Sequence, residues 1–483
     1  MDESSFPFRT EPFKHQYEAW LATRAYPHFG IFWEQGTGKS KLVIDTAAWL
    51  FLNNRIDALI IIAPNGVHRN WIVNEIPAHM PAPVKYSSFL YLTSKADTQR
   101  FKRQAAECFT AKGLLIVAMS YDSVMTKFGD KFLLKVLDRR CLMVLDESAR
   151  IKTPTAKRTI RILARGRGAT YRRILTGTPV ANSPFDIFTQ LKFLVSSVWD
   201  GIGCKAFSSF KNQFGIWEQK RDPRSGRAYK DLVQYRNLEM LKGIVDQFGN
   251  RVTKDDVLDL PPKLYQKRYF DLSAKQEWAY AEMRNEWAMR LDGGEVTAML
   301  AIVRLMRFQQ ITSGFVVDEN ERIHELDPVC PRITALREAV GDSLGKMIIW
   351  AKFKHDITKI VEALAEDGIE AVRYDGTTGP EDRGRAIERF QNGTARAFVA
   401  NPAAAGEGLT LTAARTVIYY NNTFKLTERL QSEDRAHRIG QKHSVLYVDI
   451  VATDTVDEKI TDALRNKLDI ASIITGDRLR EWI

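Results

Sequence analysis

The run Ile31-Phe32-Trp33-Glu34-Gln35-Gly36-Thr37-Gly38-Lys39-Ser40 passes from an apolar stretch into a glycine loop and then into a second apolar segment. That order reads as strand, phosphate loop, helix. Gly36 and Gly38 allow backbone N–H groups to approach phosphate oxygens, Lys39 brings a point charge, and the Ser40 hydroxyl suits magnesium. Gly36, Thr37, Gly38, Lys39 and Ser40 are therefore candidate nucleotide-binding residues, with Ser40 also a candidate metal ligand. The common form of the motif begins with a glycine at position 33, where this chain carries Trp33, so the match is partial.

Working outward, short apolar runs recur at 58–63, 114–118, 142–145 and 173–175, each closed by polar or turn-forming residues: Pro64, Ser120-Tyr121, Asp146-Glu147 and Thr176-Gly177-Thr178-Pro179. Strand-sized runs buried on both faces and separated by helical patterns predict a parallel sheet with crossover helices. Polar groups just after each strand match the carboxyl-edge rule for open α/β sheets. From Lys346 the rhythm returns, with predicted strands at 347–350, 371–374, 397–400, 416–420 and 444–451. Between the two halves lie aromatic-rich helical patterns, notably 276–291 and 296–310, and the rigid break Leu260-Pro261-Pro262-Lys263. At 483 residues the chain exceeds one ordinary core. The expected division is 1–260 with a helical insertion near 185–255, then 261–470 with an insertion near 272–325 and an arginine motif at 431–441, then a tail at 471–483.

Asp146-Glu147 at a strand end is ordinarily a polar cap. Paired with Lys39, it becomes a candidate catalytic pair: Asp146 holding magnesium and Glu147 orienting or activating water. Gln16, in Pro12-Phe13-Lys14-His15-Gln16, has an amide able to read an adenine edge with one donor and one acceptor. Near the C-terminus, Gln431-Ser432-Glu433-Asp434-Arg435-Ala436-His437-Arg438-Ile439-Gly440-Gln441 sets Arg435 and Arg438 three apart, on one face of a helix if the segment is helical. Fixed guanidinium groups suit the charge of a phosphoryl group in transfer.

The apolar fraction of 45% and ten tryptophans argue for filled interiors. No apolar run reaches the roughly 18–20 residues that span a bilayer. The polar start Met1-Asp2-Glu3-Ser4-Ser5 shows no secretory signal. Four scattered cysteines (108, 141, 204 and 330) argue against a disulfide framework or structural zinc, so a cytoplasmic setting is expected. The net charge of +11 permits a polyanionic partner without requiring one. Residues 148–176 hold nine basic side chains and no acidic one. Arg150 and Lys152 suit bracing of the carboxylate loop. Lys157, Arg158, Arg161, Arg165 and Arg167 form an expected exposed group for tracking phosphates. A second basic cluster, Lys220, Arg221, Arg224, Arg227 and Lys230, reads as an exposed loop around Pro223 and Gly226. A solvated face is the plainer reading of either cluster.

Taken together, these motifs resemble the Swi/Snf (Snf-two-type) group of helicase superfamily two. In order they are Gln16, residues 34–40, Ala63-Pro64, Asp146-Glu147, Leu175-Thr176-Gly177-Thr178-Pro179, Leu260-Pro261-Pro262-Lys263, Tyr374-Asp375-Gly376-Thr377, Gly406-Glu407-Gly408-Leu409-Thr410-Leu411 and 431–441. The resemblance covers residues 7–465, and the Arg-Ala-His-Arg-Ile-Gly-Gln string is its most specific part. The run 421–434 resembles compact phage and bacterial members. There are departures. Ser148-Ala149 stands where alanine-histidine is usual, Asn401 where serine or threonine is, Ala405 where glycine is common, and Phe424 in place of a tryptophan. The histidine normally helps couple hydrolysis to the threonine-rich motif.

The resemblance implies an α/β fold of two RecA-like parallel-sheet lobes with helical insertions and ATP bound in the cleft between them. It implies ATP and Mg2+ as cofactors. Lobe one would supply Gln16, Gly36, Thr37, Gly38, Lys39, Ser40, Asp146 and Glu147, and lobe two Gly408, Arg435 and Arg438. DNA, duplex or branched, is the implied partner of a monomer, gripped through Pro64, Asn65, Ser120, Tyr121, Thr178, Lys352 and Thr410, with Lys157, Arg158 and Arg161 added by charge. The expected function is ATP-driven translocation along duplex DNA. A strand-separating or branch-migrating helicase and an ATP-sensing DNA-binding recruitment module are the alternatives.

Overall fold

The structure is a computed structural model that describes residues 6–221, 228–292, 298–403 and 409–475. The chain divides into two compact units, one comprising Met1–Ile216, Gln234–Asp259 and Ile470–Arg478, the other Trp217–Val233, Leu260–Asp469 and Leu479–Ile483.

In the first unit the strands are β1 (His28–Trp33), β2 (Ala58–Ala63), β3 (Tyr86–Leu90), β4 (Leu114–Ser120), β5 (Cys141–Asp146), β6 (Tyr171–Leu175) and β9 (Gly249–Val252); the pair β7 (Gly215–Arg221) and β8 (Ala228–Tyr235), which precedes β9 in the chain, falls mostly in the second unit. The seven strands of the first unit form one sheet in the order β3-β4-β2-β5-β6-β1-β9, and every pairing is parallel. The all-apolar run 58–63 lies near the middle and is buried throughout, as a strand covered on both faces must be. Trp20, Trp33, Ile44, Ala47 and Trp71 join Leu59, Ile61 and Val144 in the core on one face.

The second unit contains β10 (Lys263–Phe270), β11 (Phe315–Val317), β12 (Ile323–Glu325), β13 (Lys346–Trp350), β14 (Ala371–Tyr374), β15 (Ala397–Ala400), β16 (Ala414–Tyr419) and β17 (Val445–Ala452). Its six-stranded sheet runs β10-β17-β16-β13-β15-β14 and is also wholly parallel. Alternate residues feed opposite cores: Ile348, Trp350 and Phe398 on one face, Met347, Ile349 and Val399 on the other. This two-residue period follows directly from the pleat.

Three strands of the two large sheets escape the sequence patterns. β3 and β10 are partly exposed edge strands with polar residues interleaved, and β9 is the four-residue Gly-Asn-Arg-Val. The expected helices at 276–291 and 296–310 appear as Ala274–Asp292 and Ala298–Thr312. The basic 220–230 segment is not simply a loop: β7 and β8 pair there, while Pro223, Arg224, Gly226 and Arg227 lie outside the described residues. The helix Val456–Thr475 carries through residue 471, where the tail is expected to start.

Candidate active site

Five of the expected site segments fall at the carboxyl edge of the first sheet, following β1, β2, β4, β5 and β6. The glycine loop leaves β1 and opens the 14-residue helix Lys39–Leu52, so the loop meets the end at which a helix presents N–H groups and positive dipole. Gly36 and Gly38 both have φ of 84°. A Cβ on Gly38 would sit 1.9 Å from the Gln16 amide nitrogen, in addition to the left-handed strain. Trp33, at the position of the absent first glycine, is fully buried and donates its indole N–H to Asn250 Oδ1 at 2.9 Å. It fills the core under the loop instead of opening the loop further.

Lys39 Nζ donates to the carbonyls of Trp33 (2.9 Å) and Glu34 (3.0 Å), arching the ammonium over the loop. Thr37 donates its hydroxyl to Glu34 O at 2.7 Å. Gln16 is buried. Its Oε1 accepts from Phe13 N at 2.8 Å and its Nε2 donates to Gly38 O at 3.2 Å. In this structure Gln16 therefore braces the phosphate loop. His15, which the sequence does not mark, contacts Thr37 O through Nε2 at 2.9 Å. Arg251 of β9 donates to Phe32 O (2.6 Å) and Gly177 O (3.0 Å) and so ties the loop entrance to the threonine-rich segment. No sequence signal marks Arg251, since its strand is too short to read.

Asp146 closes β5. Its Oδ2 accepts the Trp71 indole N–H at 2.8 Å, and its carbonyl accepts the Tyr121 hydroxyl at 2.9 Å. Burial pushes the Asp146 carboxyl above its ordinary range, opposed by the Trp71 bond and the Lys39 charge. Glu147 has φ 53° and ψ 56°, the left-handed region, and accepts from Gln35 Nε2 at 3.1 Å. Ser40 and Asp146 offer a hydroxyl and a carboxylate, the hard oxygen donors that magnesium takes.

In the second unit, Arg435 and Arg438 do not lie on a helix. The helix Leu426–Glu433 ends just before them, and three-residue bonds such as Ala436 N to Glu433 O (3.2 Å) turn the chain. The two side chains still converge: Arg435 NH1 and Arg438 NH1 reach Leu409 O at 3.4 and 3.5 Å. Arg438 also donates to Thr410 Oγ1 at 2.9 Å. Behind them, buried Glu433 accepts from Arg429 Nε (2.9 Å), Lys263 Nζ (3.1 Å) and Tyr265 OH (2.9 Å). Gln441, the last residue of the signature string, spans Thr412 O, Ala414 O and Ala436 O. Gly408, Gly406, Glu407 and Ala405 lie outside the described residues.

The expected DNA contacts separate into two groups. Ser120 and Tyr121 are buried, with Ser120 capping Ser123 N at 3.0 Å and the Tyr121 hydroxyl on the Asp146 carbonyl. The Pro64 carbonyl accepts from His68 N at 3.2 Å. Lys352 Nζ donates to Gln309 at 2.6 Å, and burial lowers its pKa. Thr178 is half-buried. Asn65 and Arg158 both bind Asp122, at 3.1 and 2.6 Å, which places them with exposed Lys157 near one edge. The five-residue exposed group does not survive intact. Arg161 donates to Met125 O at 3.0 Å, and Arg165 grips Asp130 with two bonds of 2.7 Å. Only Lys157 and Arg167 are exposed.

Comparison with known proteins finds the SNF2-related domain over residues 14–314 and the helicase conserved C-terminal domain over 332–440. Similar curated proteins include the CHD3-type chromatin-remodeling factor PICKLE of Arabidopsis thaliana, 24% identical over 92% of this chain and 32% of the relative. The ATP-dependent helicase brm of Drosophila melanogaster is 26% identical over 90% of this chain and 27% of its own length. Human SWI/SNF-related matrix-associated actin-dependent regulator of chromatin subfamily A member 1 is 27% identical over 91% and 41%. The chain thus spans well under half the length of these relatives. Among solved structures, the Sulfolobus solfataricus SWI2/SNF2 ATPase core in complex with dsDNA aligns over 98% of this chain and 95% of that one, with 20% identity and a TM-score of 0.42. Among the described residues no helix is long and apolar enough to cross a membrane.

Proposed function

The chain belongs to the SNF2-related family of helicase-type ATPases, and on that premise we propose that it hydrolyses ATP to translocate along duplex DNA. The carrying observation is the common edge of β1, β5 and β6, where Lys39, the Asp146-Glu147 pair and Thr178 emerge from neighbouring strands of one parallel sheet. Gly36, Thr37, Gly38 and Lys39 hold the phosphates, and Gln16 gives up its loop bond to read adenine. Ser40 and Asp146 would hold magnesium, which when bound would supply positive charge against the phosphates. Glu147 accepts the proton of the attacking water. Arg435 and Arg438 stabilise the phosphoryl group in transfer. Asn65, Thr178, Lys157 and Thr410 contact phosphates of the DNA backbone without reading sequence. The named relatives include a chromatin-remodeling factor and an ATP-dependent helicase, which supports DNA as the partner.

Displacement of a third strand from a DNA triplex tests translocation. ATP-dependent displacement, lost in Lys39→Ala, together with an intact simple fork, is the expected result. Efficient separation of the fork replaces the translocase reading with a strand-separating helicase.

A further inference from the structure

One buried amide joins the segment after β5 to the segment after β6. Gln190 lies on the helix Ile187–Leu194 and is fully buried, as is Ser148. Its Oε1 accepts the Ser148 hydroxyl at 2.7 Å. Its two amide hydrogens go to Pro179 O at 2.7 Å and Asp186 O at 2.8 Å. Ser148 directly follows Glu147, and Pro179 directly follows Thr178. The neighbouring Thr189 adds a second tie, donating to Ile151 O at 2.5 Å, and Asp186 holds the same loop through Asn182 N at 2.9 Å.

A buried amide left without its partners carries the full desolvation penalty of each orphaned group. Ser148 and Pro179 therefore shift together or leave Gln190 unsatisfied. The tie matters because Glu147 is held in the left-handed region, a conformation that a non-glycine residue keeps only where its surroundings fix it. The anchorage of Ser148 is the nearest such constraint on its C-terminal side.

We propose that Gln190 is a positioning residue that makes the orientation of Glu147 depend on the Thr178-Pro179 segment, so that DNA phosphate at Thr178 sets the rate of water activation. This rests on the translocase reading above. It assigns to a Ser148–Gln190–Pro179 chain the communication between hydrolysis and DNA in a protein with Ala149 at the usual histidine position.

The test measures ATP turnover with and without duplex DNA, together with KM for ATP and affinity for DNA. Ser148→Ala removes the donor and Ser148→Thr keeps it. The expected result is a loss of at least about tenfold in DNA-stimulated kcat for Ser148→Ala, with KM and DNA affinity within about twofold of wild type, and recovery in Ser148→Thr. Gln190→Leu gives the same loss, and the double variant adds little to it, as members of one network do. If Gln190→Leu does not fold, the Ser148 pair decides alone. Full DNA stimulation in Ser148→Ala overturns the proposal, as does a loss shared by kcat, KM and DNA affinity that Ser148→Thr does not repair. A wild-type protein whose turnover ignores DNA overturns the translocase reading itself, and the coupling with it.

Discussion

Trp71 donates its indole N–H to Asp146 Oδ2 at 2.8 Å, so the proposed magnesium carboxylate is aimed by a fully buried tryptophan. Burial raises the Asp146 pKa, and this bond is the strongest influence holding it down. Trp71→Phe keeps most of the packing and removes the donor. The Asp146 pKa then rises further, and more of the carboxyl is protonated at any given pH. The acid limb of the turnover profile should move to higher pH, because the bond that favours the ionised carboxylate is lost. Half-maximal magnesium should rise most on the acid side. An unmoved acid limb shows that Asp146 does not need to be ionised for the reaction.

Arg435→Ala and Arg438→Ala should each lower turnover by about 10³-fold, the scale of arginine fingers in phosphoryl transfer. ATP affinity should change much less, because these groups act on charge in transfer. Glu147→Gln should likewise keep ATP and lose turnover. Single-turnover rates beside nucleotide titrations separate the effects. Normal hydrolysis by both arginine variants would make the pair a brace for Leu409 and Thr410, the groups it touches in this structure.

The basic run divides into structural and exposed members. Arg161→Ala orphans the carbonyls at the end of the helix Tyr121–Met125, and should cost about 1.5–3 kcal/mol, as hydrogen bonds from charged groups do. It should leave the salt dependence of DNA binding alone. Lys157→Ala with Arg167→Ala should do the reverse, flattening log affinity against log salt by up to about 0.9 per lost phosphate contact. Denaturant unfolding and binding at several salt concentrations measure both. An unchanged slope in the double variant marks this edge as solvated surface.

Asp356 is buried in the second unit, where Ser313 Oγ (3.2 Å) and the Asn421 amide bind its Oδ2. Burial raises its pKa from 3.8 to about 7 against the lowering influences of Arg332, Asn421 and Ser313. The folded state therefore takes up a proton between about pH 4 and 7 that the unfolded chain does not hold. Stability from this group is fullest at the acid end and falls as pH rises through that window, by at most about 1.4 kcal/mol per unit. Asp356→Asn should flatten that slope relative to wild type. His355, whose pKa burial lowers, titrates in both proteins and cancels in the difference. Identical pH dependence of the two melting curves contradicts the buried titration.

The two sheets were legible because their interior strands are apolar on both faces: 58–63 and 397–400 coincide with β2 and β15. β10 was hidden because Lys263 to Phe270 interleaves charge with tyrosine on an edge, where only one side is paired. Lys39, Asp146 and Glu147 announced themselves through residue type and position after strands. Trp71, Arg251 and Gln190 did not. Each acts through a hydrogen bond to a residue between 42 and 219 positions away, and no local spacing encodes such a partner. Charge alone misled at Arg161 and Arg165, because Asp130 and the Met125 carbonyl that hold them lie on other elements.

The most direct measurement of the central claim is steady-state ATP turnover of the wild-type chain, alone and with duplex or single-stranded DNA, beside Lys39→Ala. The account predicts turnover that rises with duplex DNA, rises less with single strands, and disappears in Lys39→Ala with either. Turnover unaffected by DNA, or surviving in Lys39→Ala, contradicts it.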